Sequence, residues 1–212
     1  MSPPVKEEKG QPKWTELGLQ DLRSLDVALR SAALPEIEAA QDVRVAMEII
    51  ARVFGLATTE ILTASVVTPL GAVDVVRESL FHIVEKRQDA RERYAHYALD
   101  TLVCPFEVWR VEYDDGSYRL AFIGAYVVKN QMLVVVNYTP EKVLWNFMHG
   151  DAKAVNKHRH GELLHQRHSA WPRVQPELVA TQGYATETVE VGRAAVGEQP
   201  REIRDAKEKA AM

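Results

Sequence analysis

The sequence predicts an α+β fold: a helix followed by a four-stranded antiparallel sheet, with an N-terminal helical extension. Three observations predict it. Apolar side chains recur at helical spacing over residues 43–54 and again over 75–102. From residue 106 the period shortens from 3.6 to 2. Turn signals then divide the alternating stretch into four runs of strand length.

The first dozen residues hold three prolines and alternating charge, too little apolar surface to offset ordering, so 1–13 is expected as a disordered lead. The helical extension spans 14–57. Leu19, Leu22, Leu25, Val27 and Leu29 come at mixed spacing before Pro35; Ala46, Ile49, Ile50 and Val53 follow the i, i+3, i+4, i+7 rule, and Gly55 is a stop signal. A β-like stretch over 61–67 ends at the turn Thr68-Pro69-Leu70-Gly71. A long helix is expected over 75–102, closed by Pro105. Strands over 106–113 and 118–128 flank the hairpin turn Asp114-Asp115-Gly116-Ser117. The strand over 132–138 carries Leu133-Val134-Val135-Val136, which suits burial on both faces, and 143–147 is the fourth. Residues 151–161 suit a short helix ending at Gly161. From 172 to 212 apolar residues thin out, and a flexible charged tail is expected, with a charged helix over 201–211.

Composition narrows the function. The chain has 212 residues, 46% hydrophobic and 26% charged, which is an ordinary globular mixture. No apolar run approaches the roughly 20 residues of a membrane helix, and the first residues lack the apolar stretch of a signal peptide. A single cysteine, Cys104, excludes an internal disulfide and a multi-thiolate metal site, and a reducing cytoplasm is expected. A net charge of −4 excludes a uniformly basic coat for nucleic acid but leaves a local patch open. Neither a glycine-rich phosphate loop nor a Gly-x-Ser-x-Gly elbow occurs, against nucleotide-driven and serine-hydrolase chemistry.

Placed about 100° apart, Leu80, Ile83, Val84, Tyr94, Ala95, Ala98 and Leu102 share one helix face, with Arg87 and Arg91 in its middle. An arginine on a core-facing stripe needs a partner. Two stacked guanidinium forks form a socket for phosphate or carboxylate; the alternatives are a structural ion pair with Glu107, Glu112 or another acid, or stems packed along the core with their heads reaching solvent. His82 is a proton carrier for neutral pH, but on one continuous helix it lies opposite Arg91 unless the helix bends. Residues 151–173 hold Lys153, Lys157, Arg159, Arg167 and Arg173 against Asp151 and Glu162, with His158, His160, His165 and His168; Trp145, His149 and Trp171 lie nearby. Such a basic, aromatic-interleaved strip tracks a phosphate backbone, and the alternative is a solvated loop. The histidine spacings also admit a metal, but no His-Glu-x-x-His pattern accompanies them, so no metal or other cofactor is assigned.

The run FHIVEKRQDARERYAHYALDTLVCPFEVWRV, two hairpin strands, and then LVVVNYTPEKVLWNFMHGDAKAVNKHRHGELL resemble the phage branch of the barnase/EndoU/colicin/RelE-like nucleases. The resemblance covers residues 60–168, within a nuclease domain bounded at 58–171. It rests on the His82-Ile83 pair opening a helix, Arg91 further along it, the step through Pro105 and Glu107 into the first strand, and the Asn156, Arg159, Gly161 segment. It implies metal-independent cleavage of RNA through attack of a ribose 2′-hydroxyl on the neighbouring phosphorus, leaving a 2′,3′-cyclic phosphate. His82 would then transfer protons, Arg91 and Arg87 would clamp the phosphate, and Asn146, Arg159, Lys157 and His160 would contact substrate. Trp145 and Asn146 stand where the family often has Ser or Thr on the last strand. The expected enzyme is an endoribonuclease of phage or toxin origin acting on RNA in the host cytoplasm, or packaged in the virion. An inhibitor protein or phage structural proteins are its further expected partners, with no membrane. The alternative is a non-catalytic virion, assembly or nucleic-acid-binding protein that keeps the fold.

Overall fold

The computed structural model describes residues 5–85, 90–139, 141–168 and 178–181. The fold is α+β. Its elements are α1 (Val43–Val53), β1 (Thr63–Thr68), β2 (Gly71–Val76), α2 (Leu80–Val84), α3 (Ala95–Val103), β3 (Glu107–Glu112), β4 (Tyr118–Gly124), β5 (Asn130–Thr139), β6 (Glu141–Asp151), α4 (Ala152–Asn156), β7 (Glu162–Gln166) and β8 (Leu178–Thr181).

The expected meander is present as β3–β4–β5–β6, each pair antiparallel. The sheet is larger than the four strands predicted: its order is β7-β3-β4-β5-β6-β2-β1-β8. It is also mixed, because β2 meets β6 in parallel through Asp74 and Val143. The additional hairpin is the reason. Thr68-Pro69-Leu70-Gly71 turns the chain as expected, with Gly71 at φ +95°, but the turn joins β1 to a second strand rather than to a helix. Val73 and Val75 are buried alternately with their neighbours, a period of 2 at the point where a helix was expected to begin.

The single helix expected over 75–102 is therefore broken. After β2 come a 3₁₀ turn (Arg77–Ser79) and the five-residue α2; a second 3₁₀ turn (Arg91–Tyr94) follows Ala90, whose φ of +41° lies in the left-handed region, and leads into α3. Arg87 lies outside the described residues. α3 stops at Val103, two residues before Pro105, as expected.

Among the described residues before β1, only α1 is an α-helix. Asp42 caps it by accepting the Val45 N–H at 2.8 Å, Ala46 and Ile50 are buried, and Gly55 ends it at φ +87°. The earlier of the two helices expected within 14–57, before Pro35, is instead an irregular strap with one 3₁₀ turn at Val27–Leu29. Its leucines serve packing without helical phase, since Leu22 and Leu25 bury against Trp109, Leu133 and Val155 on one sheet face. Within the expected disordered lead, residues 5–13 are ordered by long-range bonds. Glu8 N–H donates to the Glu112 carbonyl at 2.8 Å, and Gly161 N–H to the Pro12 carbonyl at 2.9 Å. The Gln11 side chain accepts from Glu112 N–H at 2.8 Å and donates to its carbonyl at 3.0 Å, mimicking a strand neighbour. Of the expected tail over 172–212, all but Leu178–Thr181 lies outside the described residues.

The sheet thus separates two apolar layers. α1, α2 and α3 cover one face, over Val108, Phe122, Val134, Val136, Leu144 and Phe147. The strap and α4 cover the other. Among the described residues no helix is long and apolar enough to cross a membrane.

Candidate active site

The site forms along β6. Past Val143, β6 has no strand on its second side among the described residues, and α2 and the 3₁₀ turn Arg91–Tyr94 pack there instead. The ladder between β5 and β6 slips one residue: Val135 faces Asn146 while Val136 faces Leu144, so Trp145 is the extra residue of a bulge. Through this bulge Leu144 and Phe147 both enter the helix-covered core, whereas Trp145 is turned out and 39% exposed.

Two contacts join the turn to the strand. Arg91 Nη1 donates to Asn146 Oδ1 at 2.7 Å, and that oxygen also accepts from the Phe147 N–H at 2.8 Å, which fixes the amide and with it the guanidinium. One 3₁₀ turn later, the Tyr94 ring stacks on His149 with centroids 3.5 Å apart. Burial pushes the Tyr94 hydroxyl pKa up, so the phenol remains a neutral donor. Beside the stack opens a cleft lined by Glu36, Tyr94, Tyr97, Lys129, Gln131 and His149. On the other side, His82 projects from α2 with its ring centroid 5.9 Å from that of Trp145; its Nδ1 lies 3.9 Å from the Glu85 carboxylate, and the side chain is 58% exposed. Because the helix is broken between α2 and α3, the opposition of His82 and Arg91 on one continuous helix does not arise.

The structure thus brings His82, Arg91 and Asn146 to one strand edge through consecutive residues 145 and 146. It adds Tyr94 and His149, which sequence reasoning did not single out as site residues. Their signal was weak: Tyr94 sat among core positions, and His149 beside a basic segment.

The remaining expected contacts lie elsewhere. Arg159 is fully buried, and so is its partner. Its Nη2 and Nε donate to the two Glu107 oxygens at 2.6 and 2.7 Å, and Nη1 to the Gln20 carbonyl and Asn156 Oδ1, both at 2.9 Å. Such a guanidinium is committed to the core and cannot meet a substrate. Glu107, one of the acids expected as a structural partner for an arginine, pairs with Arg159. His160 is held by the Lys157 carbonyl at 3.0 Å and the Glu7 carboxylate at 3.2 Å, on the strap side of the sheet. Lys157 is exposed beside it, at the end of α4. Among the described residues of the expected basic strip, 151–168, the cations do not share one continuous face: Arg159 and Arg167 are buried, whereas Lys153 and Lys157 are exposed. Arg167 is buried and donates to Leu29 and Ser31. Burial lowers the pKa of His158 and His165, which are neutral near pH 7. Among the described residues no group of three His, Cys, Asp or Glu side chains could hold a metal ion.

No curated protein and no solved structure matches the chain. One family model does, that of the phage-Barnase-EndoU-ColicinE5/D-RelE like nuclease2 (PBECR2), over residues 50–166. Its match runs from the last turn of α1 to the final residue of β7, so it takes in the whole β6 edge and leaves out the strap. With more than half its length matched, the chain belongs to this family of phage nucleases.

Proposed function

We propose that the protein is a metal-independent endoribonuclease of phage or toxin origin that cleaves RNA at the β6 edge. The observation that carries this reading is the Arg91–Asn146 hydrogen bond of 2.7 Å next to the Trp145–His82 contact. It anchors a permanent cation by one of its nitrogens beside an imidazole ring. In the reaction a base takes the proton of a ribose 2′-hydroxyl, and the 2′-oxygen bonds to the adjacent phosphorus. The bond from phosphorus to the 5′-oxygen breaks, and that oxygen takes up a proton. The products are a 2′,3′-cyclic phosphate and a 5′-hydroxyl. Arg91 stabilises the charge gathering on the non-bridging oxygens, a term that operates mostly in the transition state. His82 transfers protons, and His149 is the second imidazole on the same edge. Arg87, two residues beyond Glu85, is the second phosphate cation.

The test is cleavage of an end-labelled RNA pool in excess EDTA by the wild type and by Arg91→Ala. The reading expects cyclic-phosphate ends from the wild type and a loss of 10²-fold or more, on the order of one lost transition-state donor, in the variant. Cleavage that EDTA abolishes would contradict the metal-independent step. A folded wild type inert on tRNA, rRNA and mRNA would leave the assembly or binding role as the better account.

A further inference from the structure

Next to the proposed cleavage edge runs a row of rings and cations, most of which that chemistry does not use. The Phe81 and His82 centroids are 6.3 Å apart, and those of His82 and Trp145 5.9 Å. The Arg119 guanidinium lies 5.7 Å from the Trp145 ring and 4.4 Å from that of Tyr113. The row therefore crosses from α2 over β6 to the far end of β3. Phe81 is 49% exposed and Trp145 39%. Packing does not require this exposure of Trp145, since its neighbours Leu144 and Phe147 fill the core; the bulge presents the indole outward.

Ring faces flanking a guanidinium suit one class of ligand better than others. A base stacks on an indole whatever its identity, and a guanidinium holds the phosphate or stacks on the next base. A protein partner would need about 500 Å² or more of contiguous surface on this side, whereas the Arg119 guanidinium interrupts the row between Trp145 and Tyr113. The acids near the row are peripheral: Glu85 beside His82, and Glu7 beside Tyr113. In a duplex the base faces are covered by neighbouring bases, so such a row recognises unpaired strands.

We propose that Trp145 is a base-stacking subsite, with Arg119 as its cationic flank, and that the ligand is single-stranded nucleic acid lying along the row. Trp145 precedes Asn146 in the chain, so a base stacked on it leaves its own phosphate next to the Arg91 clamp. This placement of the scissile phosphate rests on the nuclease reading; the stacking itself does not.

The experiment measures anisotropy of a labelled single-stranded deoxyoligonucleotide of about 12 nucleotides, which lacks the 2′-hydroxyl and cannot be cut by the proposed chemistry. The full chain is compared with Trp145→Ala, Trp145→Phe and Arg119→Gln, each checked by thermal melting, at several salt concentrations. Trp145→Ala weakens binding about tenfold or more with an unchanged salt slope, and Trp145→Phe recovers most of the loss. Arg119→Gln lowers the slope of log Kd against log salt by about one. The duplex of the same sequence binds more weakly. Native affinity in folded Trp145→Ala, or an equal loss on duplex and single strand, overturns the subsite. Binding through Trp145 by a protein that cuts no RNA sinks the nuclease reading and leaves the subsite. RNA cleavage with unchanged KM in Trp145→Ala does the reverse.

Discussion

Replacing Arg159 with methionine separates a structural arginine from a substrate contact. The substitution leaves Glu107 fully buried with the Trp109 indole N–H at 2.8 Å but no cation, and it strips donors from the Gln20 carbonyl and Asn156 Oδ1. Breaking a buried, bidentate pair from one side costs about 3–5 kcal/mol, because the surviving charge stays desolvated. At roughly 2–4 °C per kcal/mol for a domain of this size, Tm falls by about 6–20 °C. The double variant Arg159→Met/Glu107→Leu removes both charges and is less destabilised than the single one, although it changes more atoms. Denaturant unfolding with a constant m-value reads both numbers, and RNA cleavage is assayed at a temperature where each variant is folded. The folded Arg159→Met retains cleavage. A variant with native Tm and lost cleavage would refute the reasoning and return Arg159 to the substrate.

Three further predictions follow from particular contacts. Asn146→Ala removes the hydrogen bond between Asn146 and the Arg91 fork, and kcat falls by about 10²-fold at a temperature where the variant is folded, as expected for a misplaced catalytic group; unchanged turnover would show that this anchor is idle. His158 and His165 are depressed by burial below the ordinary 6.5. The unfolded chain therefore binds protons first as pH falls, and the stability these rings confer, complete above about pH 6.5, declines below it. Asp21, held low by Arg23, loses its contribution only below 3.8, so the two windows separate in denaturation midpoints taken from pH 8 to 3. His158→Asn should flatten the upper window, and an unaltered profile would exclude that ring as its source. Finally, Gly161 sits at φ +101° and an added Cβ would overlap the Arg110 carbonyl oxygen. Gly161→Ala costs more than about 2 kcal/mol, and a denaturation midpoint within error of wild type would contradict that packing.

Local signals in the sequence translated well into structure. The alternation over 106–138 and the turn Asp114-Asp115-Gly116-Ser117 anticipate β3, β4 and β5 to within four residues at each end, because period and turn chemistry agree there, while β6, expected over 143–147, runs Glu141–Asp151. The same holds for the α1 stripe and its Gly55 stop. The 75–102 segment fails at its start because Val75 and Val76 fit a strand edge as well as a helix, and only pairing with β1 decides between them. The strap is invisible locally, since its bonds reach across 101 positions, from Gln11 to Glu112. At the site, Arg91, His82 and Asn146 were legible as residue types, and the 55-position contact between Arg91 and Asn146 is what joins them. Arg159 was assigned by its place in a basic run. No local pattern announces that Glu107, 52 positions earlier, lies buried against it. Tyr94 and His149 meet only because the helix breaks at Ala90 and β6 bulges at Trp145.

The central claim is that the 2′-hydroxyl of the substrate is the nucleophile at the β6 edge. The most direct measurement incubates the protein, in EDTA, with an end-labelled RNA and with the same sequence fully 2′-O-methylated, and identifies the ends formed. The account predicts cleavage of the RNA to 2′,3′-cyclic phosphate and 5′-hydroxyl ends, with the methylated strand intact. Cleavage of both strands, or RNA fragments bearing 5′-phosphate ends, would contradict it.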